Sequence, residues 1–139
     1  DYLMAEIDLN KYKEFVDAVT SDESSKNDDF TSHWAQLNYS PEVNMPRLLT
    51  ASMGLGAEAG EFTEIIKKIM FQGKPLDKDN IWHMQRELGD IMWYWMQGCM
   101  ALDIDPNEVI QMNIDKLKAR YPGGEFDAHY SENRVKGDL

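Results

Sequence analysis

Cysteine is almost missing from this chain of 139 residues: Cys99 stands alone, so no internal disulfide can form. Its neighbours in IMWYWMQGCMAL are apolar, which suits a small core residue in a reducing compartment better than a nucleophile. That run, residues 91–102, falls far short of the roughly 20 apolar residues a membrane span requires. The opening residues are polar and acidic, without the pattern of a secretory or transit leader. The expectation is a cytoplasmic chain with no membrane partner. Positive charge is scarce as well. Fourteen Lys and Arg face 25 Asp and Glu, for a net charge of −11 and a pI near 4.6. A nucleic-acid polymer is therefore excluded as a partner, because binding along a phosphate backbone needs basic patches. A small nucleotide carried in with its metal remains compatible. The chain also lacks a glycine-rich phosphate loop, an internal repeat and any strand-like alternation. None of its three histidines has a Glu three residues earlier or an Asp after it, which removes the His-containing metal motifs.

What the chain does have is helical periodicity. Leu9, Tyr12, Val16 and Val19 predict a first helix over about 8–20, followed by a polar loop in SDESSKNDD and a short amphipathic piece around Phe30 to Leu37. Pro41 and Pro46 bracket a connection. A long helix is expected from about Arg47 to Phe71, with Leu55, Ala59, Phe62, Ile66 and Ile69 on its apolar face and Gly73 and Pro75 as its stop. A third should run from about Lys78 to Leu102, where Met92, Trp93, Trp95, Met96 and Met100 read as core or subunit interface. The last begins at Asp105 as N-cap with Pro106 and Glu108 in its first turn. It buries Ile110, Ile114, Leu117 and Tyr121, and carries Asn113, Lys116 and Arg120 along one edge. The reading is an all-α bundle of about four principal helices in one domain, 1–139, with a core at about 47–121 and an irregular tail at about 122–139. The apolar girth of residues 91–102 favours a homo-oligomer, a homodimer or homotetramer.

Two acidic pairs stand out against that frame, Glu58 with Glu61 in AEAGEF and Glu87 with Asp90 in RELGD. Members spaced i, i+3 lie about 60° apart around a helix, on one face and one turn apart. Two such helices side by side gather four negative charges. At roughly 5 Å and an effective dielectric near 20, each pair of carboxylates repels by about 3 kcal/mol. A cation must relieve this, and all-oxygen ligands suit Mg²⁺, with Mn²⁺ as a substitute, and hence a phosphate substrate. Glu64 continues the acidic series but turns toward Lys68 at i+4, as an ordinary surface ion pair would.

The series GLGAEAGEFTEIIKK, RELGDIMWY, NIDKLKARYP and SENR resembles the MazG-like members of the all-α nucleoside triphosphate pyrophosphohydrolases over about Leu48 to Arg134. Those proteins share Glu-x-x-Glu, a gap, then Glu-x-x-Asp, matched here by Glu58, Glu61, Glu87 and Asp90. Many members carry a further Glu just before the first pair, where this chain has Ala57. The resemblance implies hydrolysis between the α and β phosphates to a nucleoside monophosphate and pyrophosphate, with the four carboxylates holding two or more Mg²⁺ and Glu61 also orienting the attacking water. It further implies that Asn113, Lys116 and Arg120 meet the sugar and phosphates, that Arg134 closes over the phosphates, and that His33 and Trp34 belong to the base pocket. Two narrower readings stand beside it. One is a housecleaning pyrophosphatase for modified or uracil nucleotides, and the other a nucleotide-binding regulatory bundle without turnover. The resemblance to phage-encoded relatives suggests nucleotide-pool control in a host cytoplasm.

Overall fold

A computed structural model of the chain describes residues 6–39 and 42–138, and the chain falls into two compact units, 1–41 and 42–139. The described residues form seven helices and no strand, in keeping with the all-α expectation.

In the first unit, α1 spans Leu9–Ala18 and is capped by Asp8, whose carboxylate accepts from the Asn10 and Lys11 N–H groups. The stretch expected to be a loop is instead largely helical. A single turn, α2 (Asp22–Ser25), is followed at once by α3 (Asn27–Asn38). The cause is polar rather than hydrophobic. The Ser21 and Ser24 hydroxyls bond at 2.8 Å, Lys26 pairs with Asp22 at 2.7 Å, and acidic residues sit in the first turn of both helices, where they complement the helix dipole. A reading built on apolar periodicity has nothing to register there. Phe30 and Trp34, one turn apart on α3, stack with their rings 6.4 Å apart. Pro41 lies outside the described residues.

The second unit is organised by one helical hairpin, α4 (Met45–Phe71) against α5 (Lys78–Ala101). Asn44 caps α4 by accepting from Arg47 N–H, with Pro46 inside the first turn where its missing donor costs nothing. Gly73, at φ +75°, ends it, and the Lys74 N–H returns to the Lys68 carbonyl. The connection is pinned by Asn80, a buried residue of the first α5 turn that donates to the Pro75 carbonyl while its own N–H is capped by Asp77. At the far end Asp103 adopts φ +52°, and the Asp103 and Ile104 N–H groups bond back to Met100 and Cys99. This pairing is the Schellman stop, with Asp in the left-handed position more usual for glycine.

Contacts between α4 and α5 run in opposite senses along the two helices. The Asn44 N–H bonds the Ala101 carbonyl, Arg47 donates to the Gln97 side chain, Ala51 faces Gly98, and Gly54 lies under Tyr94. Small residues on both helices let the backbones approach. Ala51, Gly54, Cys99 and Ala101 are buried in consequence, which places Cys99 in the core as expected.

α6 (Pro106–Arg120) starts at Asp105, whose carboxylate accepts from Asn107 N–H, and Val109 near its start lines an apolar cavity of about 430 Å³ with Leu48, Leu55 and Trp95. Its expected buried stripe is not covered by the described residues: Ile110 keeps 49% of its surface and Ile114 and Leu117 39% each. Met92 and Trp93 on α5 stay exposed as well, at 55% and 56%. Amphipathic periodicity identifies a face that prefers burial but not what buries it. The stretch after α6 is also less irregular than expected, because α7 (Ala128–Glu132) forms behind an Asp127 cap.

A Cβ at Gly54 would overlap the ring carbons of Tyr94, whereas one at Gly56 meets open space. Gly54→Ala should therefore destabilise the protein by about 1–3 kcal/mol, as overpacking does. Gly56→Ala should stabilise it by up to about 1 kcal/mol through helix propensity. Thermal unfolding followed by circular dichroism reads both signs, and equal effects would contradict the packing.

Candidate metal centre

The hairpin register decides where the acidic pairs meet. Glu58 lies four residues beyond Gly54, one turn and roughly 6 Å along α4, and Glu87 lies on the same side of α5 beyond Tyr94. One carboxylate oxygen from each of Glu58, Glu61 and Glu87 lies within 4.8 Å of the others. Glu58 and Glu87 are half-buried and Glu61 is exposed. The Oε2 atoms of Glu58 and Glu87 are buried without a hydrogen-bond donor. Among the described residues, no ion pair reaches the three.

The electrostatics record the crowding. The Glu58 carboxyl is held above its usual range, first by the Glu87 carboxyl set against it, then by loss of solvent and by the Glu87 charge. Glu61 acts in the opposite direction, and the Asp90 charge adds to the rise. Asp90, exposed one turn beyond Glu87, is thus the fourth carboxylate around the cluster, although its oxygens are not within the 4.8 Å set. Glu64 behaves differently: Lys67 and Lys68 both pair with it at 3.4 Å, and first Lys67 lowers its carboxyl below the usual range. The surface ion pair expected from its spacing is present, with Lys67 as an added partner.

These donors fit a hard divalent cation. All are carboxylate oxygens, two of them buried and lacking any donor, with no thiol or imidazole in the cluster to favour a softer metal.

The other expected site residues lie in three places. Asn113 and Lys116 line a cavity of about 350 Å³ with Met112, Asp115 and Gly137, a lining that does not include the carboxylates. Arg120 is turned to Asp138, its Nε 2.7 Å from Oδ2, and Arg134 sits beyond α7, where its charge acts on the same Asp138. His33 and Trp34 are on α3 in the first unit, Trp34 half-buried against Phe30. Asp138 itself, fully buried, was not expected, since one acidic residue in KGDL carries no periodic or motif signal.

Residues 48–124 match the MazG nucleotide pyrophosphohydrolase domain family, and the chain belongs to that family. It is similar to the Gene 37 protein of Mycobacterium phage L5, 39% identical over 74 residues that make up 52% of this chain. The match covers 65% of that relative's length, so this chain spans somewhat less than two thirds of it. No solved structure matches. Among the described residues no helix is long and apolar enough to cross a membrane.

If the cluster is a cation site, Mg²⁺ or Mn²⁺ should raise the melting temperature of metal-free protein, since a ligand that binds the folded state stabilises it. Glu87→Gln should raise the metal-free melting temperature by a few degrees through relief of repulsion, while removing most of the metal-induced rise. A variant that melts lower without metal and still responds to it would contradict the assignment.

Proposed function

We propose that the chain hydrolyses nucleoside or deoxynucleoside triphosphates between the α and β phosphates, giving a monophosphate and pyrophosphate. The observation that supports this most is the pair of donor-less buried oxygens on Glu58 and Glu87, inside a family domain whose description is nucleotide pyrophosphohydrolase. Glu58, Glu61, Glu87 and Asp90 would hold Mg²⁺, or Mn²⁺ in its place. The cation supplies charge neutralisation on phosphate oxygens and a lowered pKa for water. Glu61, the exposed member of the three, orients the attacking water and accepts its proton. The water oxygen bonds to the α phosphorus as the bond to the bridging oxygen breaks, and pyrophosphate leaves with that electron pair. Asn113 and Lys116 meet the sugar and phosphate tail from their cavity wall, where a basic residue offsets charge beside an acidic protein. Arg134 approaches the same phosphates, and His33 and Trp34 are the candidates for base recognition. On this reading residues 1–139 serve one activity, nucleotide-pool control in the cytoplasm, and the phage relative fits a host-cell setting.

The functional unit is a homodimer or homotetramer, in which a second copy covers the apolar faces left open on α5 and α6. Sedimentation equilibrium should give two or four chains per particle, and a monomer at micromolar concentration would overturn this part.

Purified protein incubated with each common NTP and dNTP, with Mg²⁺ or with EDTA, tests the reaction by ion-exchange chromatography. Monophosphate and pyrophosphate should form with Mg²⁺ and not with EDTA. Glu58→Gln and Asp90→Asn should each lower kcat by at least about 100-fold, comparable to losing one transition-state contact, with the helical spectrum retained. Near-normal turnover in both would refute the carboxylate metal core.

A further inference from the structure

The tightest ion pair of the second unit lies away from the carboxylate cluster. Arg120 Nε donates to Asp138 Oδ2 at 2.7 Å, with the Arg120 side chain 13% exposed and Asp138 not exposed at all. A buried salt bridge that loses one partner leaves an uncompensated charge, so Arg120 cannot readily turn from Asp138 to a phosphate. The backbone around Asp138 is built for the same contact. The Asp138 N–H closes a turn onto the Val135 carbonyl at 3.1 Å, and Gly137 adopts φ +130°, a conformation that side-chain-bearing residues rarely take. The turn rests on α6: a Cβ at Gly137 would lie 3.9 Å from that of Ala119. Gly137 also lines the cavity of Asn113 and Lys116. Lys116 and Arg134 act on Asp138 as well, lowering its carboxyl further after the larger effect of Arg120. Arg120 is the one cation in contact with this carboxylate, and the charges of Arg134 and Lys116 act on it without an ion pair among the described residues.

We propose that Arg120 and Asp138 form a clasp that pins the Val135–Asp138 turn to α6 and so completes the cavity wall on which Asn113 and Lys116 receive the phosphate tail. Arg120 is then a positioning residue rather than a phosphate ligand. Asp138 is the lock, and Gly137 the hinge that lets the turn close. This rests on the pyrophosphohydrolase reading for what enters the cavity, but the clasp itself does not.

The full chain carrying Asp138→Asn, Asp138→Glu or Gly137→Ala tests both parts. Trypsin can cut after Arg134 and Lys136, and cleavage there should be about tenfold faster in Asp138→Asn and Gly137→Ala than in the parent, because the open form is more populated. With Mg²⁺ and a nucleoside triphosphate, both variants should show KM raised about tenfold and kcat within about twofold, the pattern of lost uniform binding. Asp138→Glu, which keeps the charge, should recover a substantial part of both effects. Unchanged trypsin protection in Asp138→Asn overturns the clasp. Faster cleavage with KM unmoved, or a fall in kcat with KM unmoved, overturns the wall it is said to build. If the parent protein hydrolyses no nucleotide, the pyrophosphohydrolase reading fails, and the trypsin comparison alone decides the clasp.

Discussion

Glu58, Glu61 and Glu87 repel one another, and the packing of α4 against α5 prevents them from separating. Small residues bring the helices together at Ala51, Gly54 and Gly98, and the ring of Tyr94 occupies the space a larger residue at 54 would need. One turn further on, the same close approach forces the carboxylates within a few ångströms of each other. Moving their backbones apart would open the hairpin and expose its few buried residues. The crowding is therefore maintained by hydrophobic and steric packing rather than by any attraction among the acids. The raised Glu58 carboxyl is the electrostatic mark of that crowding. A divalent cation would relieve much of it, with geometry and charge that a proton does not supply.

The distribution of positive charge completes this picture. An acidic chain has few cations to place, and Arg120 is paired with Asp138 while none of the ion pairs among the described residues reaches Glu58, Glu61 or Glu87. The acids are left with a charge to be met by a ligand, whereas Arg120 already has its counter-ion. A metal-bound polyphosphate is one molecule that presents the complement. The apolar side chains of α5 and α6 that the described residues leave open are those which, in the proposed assembly, a second copy would cover.

The sequence disclosed the helices with strong apolar periodicity almost to the residue. α5 ends at Ala101 against an expected Leu102, and Asp105 caps α6 as its spacing required. It did not disclose α2 or α7, which are short and held by caps and polar side-chain bonds that leave no hydrophobic period. The approach of Glu58, Glu61 and Glu87 was partly legible because i, i+3 spacing survives folding unchanged, while the register that brings the two helices together there, and leaves Asp90 outside, was not. The pairing of Arg120 was not legible. Its partner is 18 residues away in sequence, and nothing in a lone Asp-Leu after a glycine says which base it will meet. Glu64 shows the reverse case, where a local i+4 lysine settled its environment from the sequence alone.

The most direct measurement is Mn²⁺ binding to metal-free protein, read from the loss of the free-ion signal in electron paramagnetic resonance, with the parent chain and Glu87→Gln side by side. The parent should bind at least one Mn²⁺ per chain, displaceable by Mg²⁺, and the variant should bind weakly or not at all. Equal binding by both would mean that the cation, if there is one, sits elsewhere, and the carboxylate cluster would lose its role as the centre of the site.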